Sequence, residues 1–512
     1  MFIKNKTTKS GLKYVYVFSY VMVFIGRRRE LRKLENLYSV KESVTCAIYG
    51  RRRVGKTSLI QEFSRNKRVL FFTTTGSTKE VILYNLSLSL TKFFEEEVKL
   101  TDFFDFMKYL RAAIQSDEKT VIVFDEFPFL VREFPDIVAL LQVFIDHDMK
   151  ESDVMLILSG SSMGAMKSCL NDGDSPLFMR FPVQMKITPL SYPEARLFHE
   201  GYSEEDRVRA YAIAGGVPMY HNLLNGKNLE ERIEDLFLTP SGLLGSEATN
   251  VLSLELKPWD SYEKILLSIS NGNKTMDEIV QMTGLSKTYC QGLIDNLVML
   301  DVVAEELPLG RVRKKSYKLI DGLFSFYYNV IMRNEVLITI SQNNVFESFR
   351  RAIDTFYGRR FEDICRQYIL GNNACRWIGR WWGSVPVRQN GIIVRGEDGR
   401  PVTENTDVDI VALTANDGHD DMILCECKFT QRIADVRVAE ELIRRGESVG
   451  KDDRNKRYVI FSRSGFADSL VRYAEDFRDG RLELVDLETF GKWAENFLKE
   501  SGCFDIDYPF YL

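Results

Sequence analysis

Histidine is scarce: four in 512 residues, at positions 147, 199, 221 and 419. They are far apart in sequence and none lies at ligand spacing from another, so the sequence carries no signature of a histidine-built zinc site. The eight cysteines are scattered and none forms a C-x-x-C pair. Several fall inside apolar runs, so the sequence suits reduced thiols in a cytosol and not a disulfide framework. Charge of one sign is also lacking. A net charge of −5 and a pI near 5.7 exclude a surface that binds nucleic acid everywhere, and leave that role to local basic patches. Long apolar runs are missing too. Residues 14–25 are apolar and follow Lys4, Lys6, Lys9 and Lys13. The run resembles a secretory signal but is shorter than the ~20 residues a membrane helix needs. It is followed by Gly26-Arg27-Arg28-Arg29 instead of a small-residue cleavage site. Residues 1–21 are therefore expected to be a flexible extension, or to precede a true start at Met22. No membrane association is expected, and a cytoplasmic location is.

What remains is an ordinary globular composition, 45% hydrophobic and 28% charged. The length suits about three or four domains at ~100–200 residues each. Gly50-Arg51-Arg52-Arg53-Val54-Gly55-Lys56-Thr57 fits G-x-x-x-x-G-K-[ST]. A strand-like run, residues 44–49, precedes it, and a helix-like run beginning at Ser58 follows. In that setting the glycines let backbone N–H groups curl around phosphate, and the helix N-terminus adds its dipole. Lys56 is placed to reach the β/γ-phosphates and Thr57 to hold Mg²⁺. Downstream, Thr120-Val121-Ile122-Val123-Phe124-Asp125-Glu126 reads as a buried strand delivering two carboxylates at its C-terminal end. Asp125 is the candidate for the Mg²⁺ shell and Glu126 for polarising the attacking water. The next buried run, residues 154–158, ends in Ser159-Gly160-Ser161-Ser162. Ser159 is the candidate contact to the γ-phosphate, or alternatively helps to cap the following helix. Arg180 is a candidate arginine finger, with an exposed structural arginine as the alternative.

FIGRRREL, GRRRVGKT, VIVFDEF, LSGSSMGAM, MRF…ITPLSYPEA and Ala214-Gly215-Gly216-Val217-Pro218 occur in that order. Together they resemble the prokaryotic, mostly archaeal, AAA-related ATPases of the STAND group over about residues 22–240. The resemblance implies an α/β P-loop core that binds ATP and Mg²⁺, with the Gly-Gly-x-Pro turn opening a helical lid. Met179-Arg180-Phe181 departs from the Gly-Arg of many relatives, which leaves the role of Arg180 open.

Residues 257–320 change character. Three helix-like segments, the third capped by Ser286, are followed by strand-like residues 302–306 and 316–319. This is a winged helix-turn-helix pattern. Lys287, Arg311, Arg313, Lys314 and Lys315 are its candidate DNA phosphate contacts, with protein-binding or intramolecular docking as the alternative. The aromatic helix at 321–331 reads as packing.

In the last third, a helix near 347–370 carries Glu362. Strands are expected near 385–388 and 391–394, followed by Thr406-Asp407-Val408-Asp409-Ile410 and Leu424-Cys425-Glu426-Cys427-Lys428. Strand alternation sets Asp407 and Asp409 on one face, with Val408 and Ile410 on the other, and pairs Glu426 with Lys428. Helix 434–446, a strand at 457–461 and helix 467–478 follow. The pattern resembles the PD-(D/E)XK nuclease superfamily. That resemblance implies Asp409 and Glu426 as metal ligands, Lys428 as the catalytic lysine and Glu362 as a helix acid. The Pro-Asp pair is absent.

The expected organisation is a P-loop core at 22–200, a lid at 201–256, a winged helix at 257–320, a helical linker at 321–345 and an α/β nuclease-like domain at 346–512. The expected function is an ATP-hydrolysing switch coupled to DNA binding and Mg²⁺-dependent cleavage. The alternative is a regulatory ATPase whose C-terminal domains only bind DNA or protein partners, in an oligomer or alone.

Overall fold

The computed structural model describes residues 24–74, 78–307, 309, 315–340, 345–389, 392–416, 419–450, 455–477 and 480–500. Five strands, β1 (Val44–Tyr49), β2 (Arg68–Thr73), β3 (Thr120–Asp125), β4 (Val154–Gly160) and β5 (Val183–Lys186), form one sheet in the order β2-β3-β4-β1-β5. Every pairing is parallel. All residues of β3 and β4 are buried, which suits runs of Val, Ile, Leu and Phe covered on both faces. Separate apolar clusters lie on the two faces: Leu70, Phe72, Ile122 and Phe124 on one, Cys46, Ile48, Val121 and Val123 on the other.

Helices at Glu204–Ala214, Pro218–Leu224, Leu229–Phe237 and Glu247–Glu255 follow. Gly216 has no room for a side chain: an added Cβ would lie 1.9 Å from the Leu190 carbonyl oxygen. Its own carbonyl accepts from the Leu190 N–H at 2.7 Å, so the turn is bolted to the chain leaving β5. Three helices come next, Trp259–Ser270, Met276–Thr283 and Lys287–Met299. Thr275 and Glu278 close a capping box on the second, and Ser286 caps the third through the Tyr289 N–H. Strands β6 (Val303–Glu306) and β7 (Ser316–Leu319) pair as an antiparallel hairpin behind them. Most of the aromatic stretch after Asp321 is buried, including Phe324, Phe326 and Tyr328.

A 28-residue helix, Val345–Asn372, leads to a second sheet. Its strands are β8 (Cys375–Pro386), β11 (Thr403–Asn416), β12 (His419–Lys428), β13 (Lys456–Ser462) and β14 (Leu482–Asp486), in the order β14-β13-β12-β11-β8. Two-residue strands β9 (Arg388–Gln389) and β10 (Ile392–Ile393) pair separately. β8 begins ten residues before the strand expected from the sequence, because Cys375–Pro386 mixes Trp and Ile with Arg and Gly without a regular two-residue alternation. The expected shared face of Val408 and Ile410 is also corrected. A bulge between Val408 and Val411 breaks the alternation, so Val408 packs with Val411 and Leu424 while Ile410 joins Ala412 and Cys425. One apolar cluster runs from Leu190 and Tyr211 through Phe326 and Tyr368 to Phe461 and Trp493, joining helices Glu204–Ala214 and Pro218–Leu224 to the second sheet.

Candidate functional site

β1 delivers residues 50–55 at the C-terminal edge of the first sheet, where open parallel sheets bind ligands. Helix Lys56–Phe63 starts immediately behind, with Gly55 left-handed at φ 94°. Lys56 is buried and folded inward, donating to the Gly50 carbonyl at 2.8 Å and the Arg51 carbonyl at 3.0 Å. Burial pulls its amine below the ordinary lysine range, against the pull of Glu126 and Asp125. Thr57 Oγ1 donates to Asp125 Oδ2 at 2.7 Å. Asp125 Oδ1 is buried with no hydrogen-bond partner. A hydroxyl and an orphaned carboxylate oxygen side by side fit a hard cation. Thr57 and Asp125 would hold Mg²⁺, which supplies charge neutralisation at the phosphates.

Glu126 sits at the β3 exit with φ 55°. Its Oε2 accepts from the Ser161 N–H at 3.1 Å and the Ser161 hydroxyl at 2.9 Å. Nothing local in the sequence distinguishes Ser161 from its neighbours Ser159 and Ser162. Ser159 is fully buried at the end of β4, opposite Ile48 of β1, and its hydroxyl has no partner. Arg180 is not brought to the loop. Its carbonyl accepts from Thr45 at the start of β1, and its guanidinium grips Asp146 at 2.7 and 2.9 Å. Gly50 lies five positions beyond Thr45, about 17 Å along the strand at ~3.3 Å per residue, so Arg180 does not reach this chain's own loop.

The three loop arginines are tied to later parts of the chain. Arg51 is buried in an ion pair with Asp321. The Arg52 N–H donates to Glu255 Oε1 at 3.1 Å, and Arg53 pairs with Glu247. Tyr220 also donates to Glu247, at 3.1 Å. A cavity of about 160 Å³ opens beside the loop, lined by Phe24, Ile25, Val54, Ser58 and Pro218. Arg27 also lines it and donates to the Val54 carbonyl at 3.0 Å.

The second group lies at the second sheet. A cleft of about 650 Å³ is lined by Glu362, Asp409, Glu426, Lys428, Arg445 and Arg463 among others. Asp409 Oδ2 accepts from the Cys427 N–H at 2.9 Å. Burial pushes the Asp409 carboxyl up to about 7, reinforced by the charges of Glu426 and Glu362. Burial also raises Glu362. Lys428 donates to Glu426 Oε1 at 2.5 Å; burial opposes its charge, but Glu426 holds its amine above the ordinary lysine value. Arg445 reaches Glu426 Oε2 at 3.2 Å, and Arg380 stands 3.7 Å from both Asp409 and Glu362. The structure thus gathers all four expected residues of this cleft. Both oxygens of Glu426 face cations, and among the described residues no group of three His, Cys, Asp or Glu side chains is placed to hold a metal ion. The arrangement as it stands does not fit a metal there.

Of the candidate DNA contacts, Arg311, Arg313 and Lys314 lie outside the described residues. Lys287 is exposed and pairs with Asp277 at 2.9 Å, and exposed Lys315 pairs with Glu305 at 2.7 Å. Among the described residues no helix is long and apolar enough to cross a membrane.

The parallel sheet, the loop and the carboxylates at the β3 exit together give a P-loop ATPase-like fold. Residues 24–223 match the family described as an ATPase domain predominantly from Archaea. Residues 327–441 match a family described as archaeal and bacterial proteins of unknown function. An uncharacterised protein of Methanocaldococcus jannaschii, MJECL04, is 25% identical over 487 residues, 91% of this chain and 100% of that protein. An uncharacterised ATP-binding protein of the same organism, MJ0423, is 41% identical over 49 residues, 10% of this chain and 83% of its own. The Walker-type ATPase PABY2304 of Pyrococcus abyssi aligns over 60% of this chain and 96% of its own, at 18% identity and a TM-score of 0.47.

Proposed function

We propose that the chain is an ATP-hydrolysing switch whose C-terminal half engages nucleic acid. The observation that carries the first part is the buried, unpartnered Asp125 Oδ1 beside Thr57, with Lys56 behind the loop and Glu126 at the strand end. In this reading the loop amides and Lys56 hold the phosphates, and the 160 Å³ cavity takes the base. Ser159 faces the γ-phosphate, and Glu126, released from Ser161, orients the attacking water. Glu126→Gln should trap ATP and stop turnover; undiminished turnover would refute the role.

The three-helix and hairpin unit is read as a winged helix, with Lys287, Arg311, Arg313, Lys314 and Lys315 as phosphate contacts. The cleft at the second sheet is read as a nuclease-like site binding a phosphodiester through Lys428, Arg445 and Arg463. Binding without cleavage is the reading favoured there, because Lys428 and Arg445 occupy Glu426. The test is one preparation assayed with Mg²⁺ for ATP hydrolysis, for DNA binding against salt, and for DNA cleavage. Salt-sensitive binding without cleavage supports it. Cleavage lost in Asp409→Ala and Lys428→Ala, with ATP hydrolysis intact, replaces it with a nuclease. No DNA binding overturns both.

A further inference from the structure

A phosphate-binding loop with its lysine folded in and an acid on its amide is a loop with an occupant. Glu255 ends the helix Glu247–Glu255 and is some 200 residues from the loop in sequence. Its side chain is only 10% exposed, and its Oε1 accepts from the Arg52 N–H at 3.1 Å, an amide of the loop itself. The Arg52 guanidinium stands 3.7 Å from the same oxygen. Glu255 also lies close enough to Lys56 and Arg51 to act on both electrostatically. One helical face therefore sets Glu247 on Arg53 and Glu255 on Arg52, eight residues apart and two turns along.

We infer that Glu255 is a built-in phosphate mimic: its carboxylate holds the anion-binding loop closed, and a nucleotide phosphate must displace it to bind. The chemistry is that of one anion exchanged for another on backbone N–H and cationic partners. Burial already lifts the Glu255 carboxyl above its ordinary range, so this acid is held at a cost that a better anion can relieve. The displaced helix is the one that leads, through Lys257 and Pro258, into helix Trp259–Ser270 of the three-helix unit. Expulsion of Glu255 is thereby a mechanical signal from the nucleotide loop to the downstream half. The inference rests on the nucleotide reading of the loop.

The test uses the full chain and calorimetric titration with ADP and Mg²⁺, and separately with pyrophosphate. Glu255→Gln keeps the volume and removes the competing charge; Glu255→Asp keeps the charge and withdraws it by one methylene. If the loop is closed roughly nine-tenths of the time, Glu255→Gln should tighten both ligands about tenfold, with Glu255→Asp between it and the native protein. Hydrogen exchange of residues 247–256 should speed up when ADP binds the native protein. Equal or weaker binding by Glu255→Gln, or unchanged exchange in that helix, overturns the inference while leaving nucleotide binding standing. Failure of both the native protein and Glu255→Gln to bind either ligand overturns the nucleotide reading and this inference with it. Binding by the variant alone supports complete closure.

Discussion

Asp321→Ala is the sharpest test of how the loop is tied to the rest of the chain. Asp321 is 6% exposed and performs two jobs. Its carboxylate pairs with Arg51, itself 8% exposed, and its Oδ1 caps helix Gly322–Phe326 by accepting the Phe324 N–H at 2.8 Å. Losing a cap costs about 1 kcal/mol. Stranding a buried guanidinium costs about 3–5 kcal/mol. The two together come to about 4–6 kcal/mol, a large part of a typical ~5–15 kcal/mol stability. Asp321→Asn keeps a capping oxygen and should lose mainly the ionic part. Arg51→Met removes the stranded charge, so Arg51→Met with Asp321→Ala should be less damaged than the sum of the two single changes. Urea unfolding of the four proteins gives the coupling directly. A coupling below about 0.5 kcal/mol, or an Asp321→Ala loss under about 1 kcal/mol, refutes the claim that this buried pair ties the phosphate loop to the segment beyond β7.

Three further outcomes concern the helices that follow β5. His199 and His221 are buried and share a 2.8 Å contact, and burial lowers them to about 2 and about 4. Both lie below the ordinary ~6.5, so between pH ~6.5 and ~4 the unfolded chain binds more protons than the folded one. Stability should be complete above pH ~6.5 and fall as the pH drops, by about 2 kcal/mol per histidine at pH 5. Urea unfolding against pH measures it, and His221→Gln should flatten the slope; an unaltered slope refutes the assignment. Gly216→Ala should cost about 3 kcal/mol, since its Cβ would meet the Leu190 backbone at 1.9 and 2.3 Å. Gly292→Ala, inside helix Lys287–Met299 with open space around it, should instead gain about 1 kcal/mol. Thermal unfolding of the two variants in opposite directions is the check.

The parts of this protein legible in its sequence are those set by neighbours along the chain. The loop after β1 needs Gly50 and Gly55 for its backbone, and Lys56 and Thr57 follow at fixed spacing on the first turn of a helix. The β3 run is buried on both faces because its apolar side chains leave no polar face, and it ends on Asp125 as its pattern requires. Capping at Thr275 and Ser286 likewise marks its own helices. Tertiary structure decided what depends on distant partners. A one-residue bulge opposite Arg380 turned Ile410 to the other face, which no periodicity announces. Arg180 went to Asp146 by the start of β1, because a strand's length separates it from the loop. Ser161, 35 residues on, took Glu126, and Glu247, Glu255 and Asp321 came back across some 200 to 270 residues to the three arginines. The sequence by itself determined that a phosphate loop would form, since that geometry is local. Only the folded chain decided which carboxylates reach the loop, because their positions are set by the packing of a helix two hundred residues away.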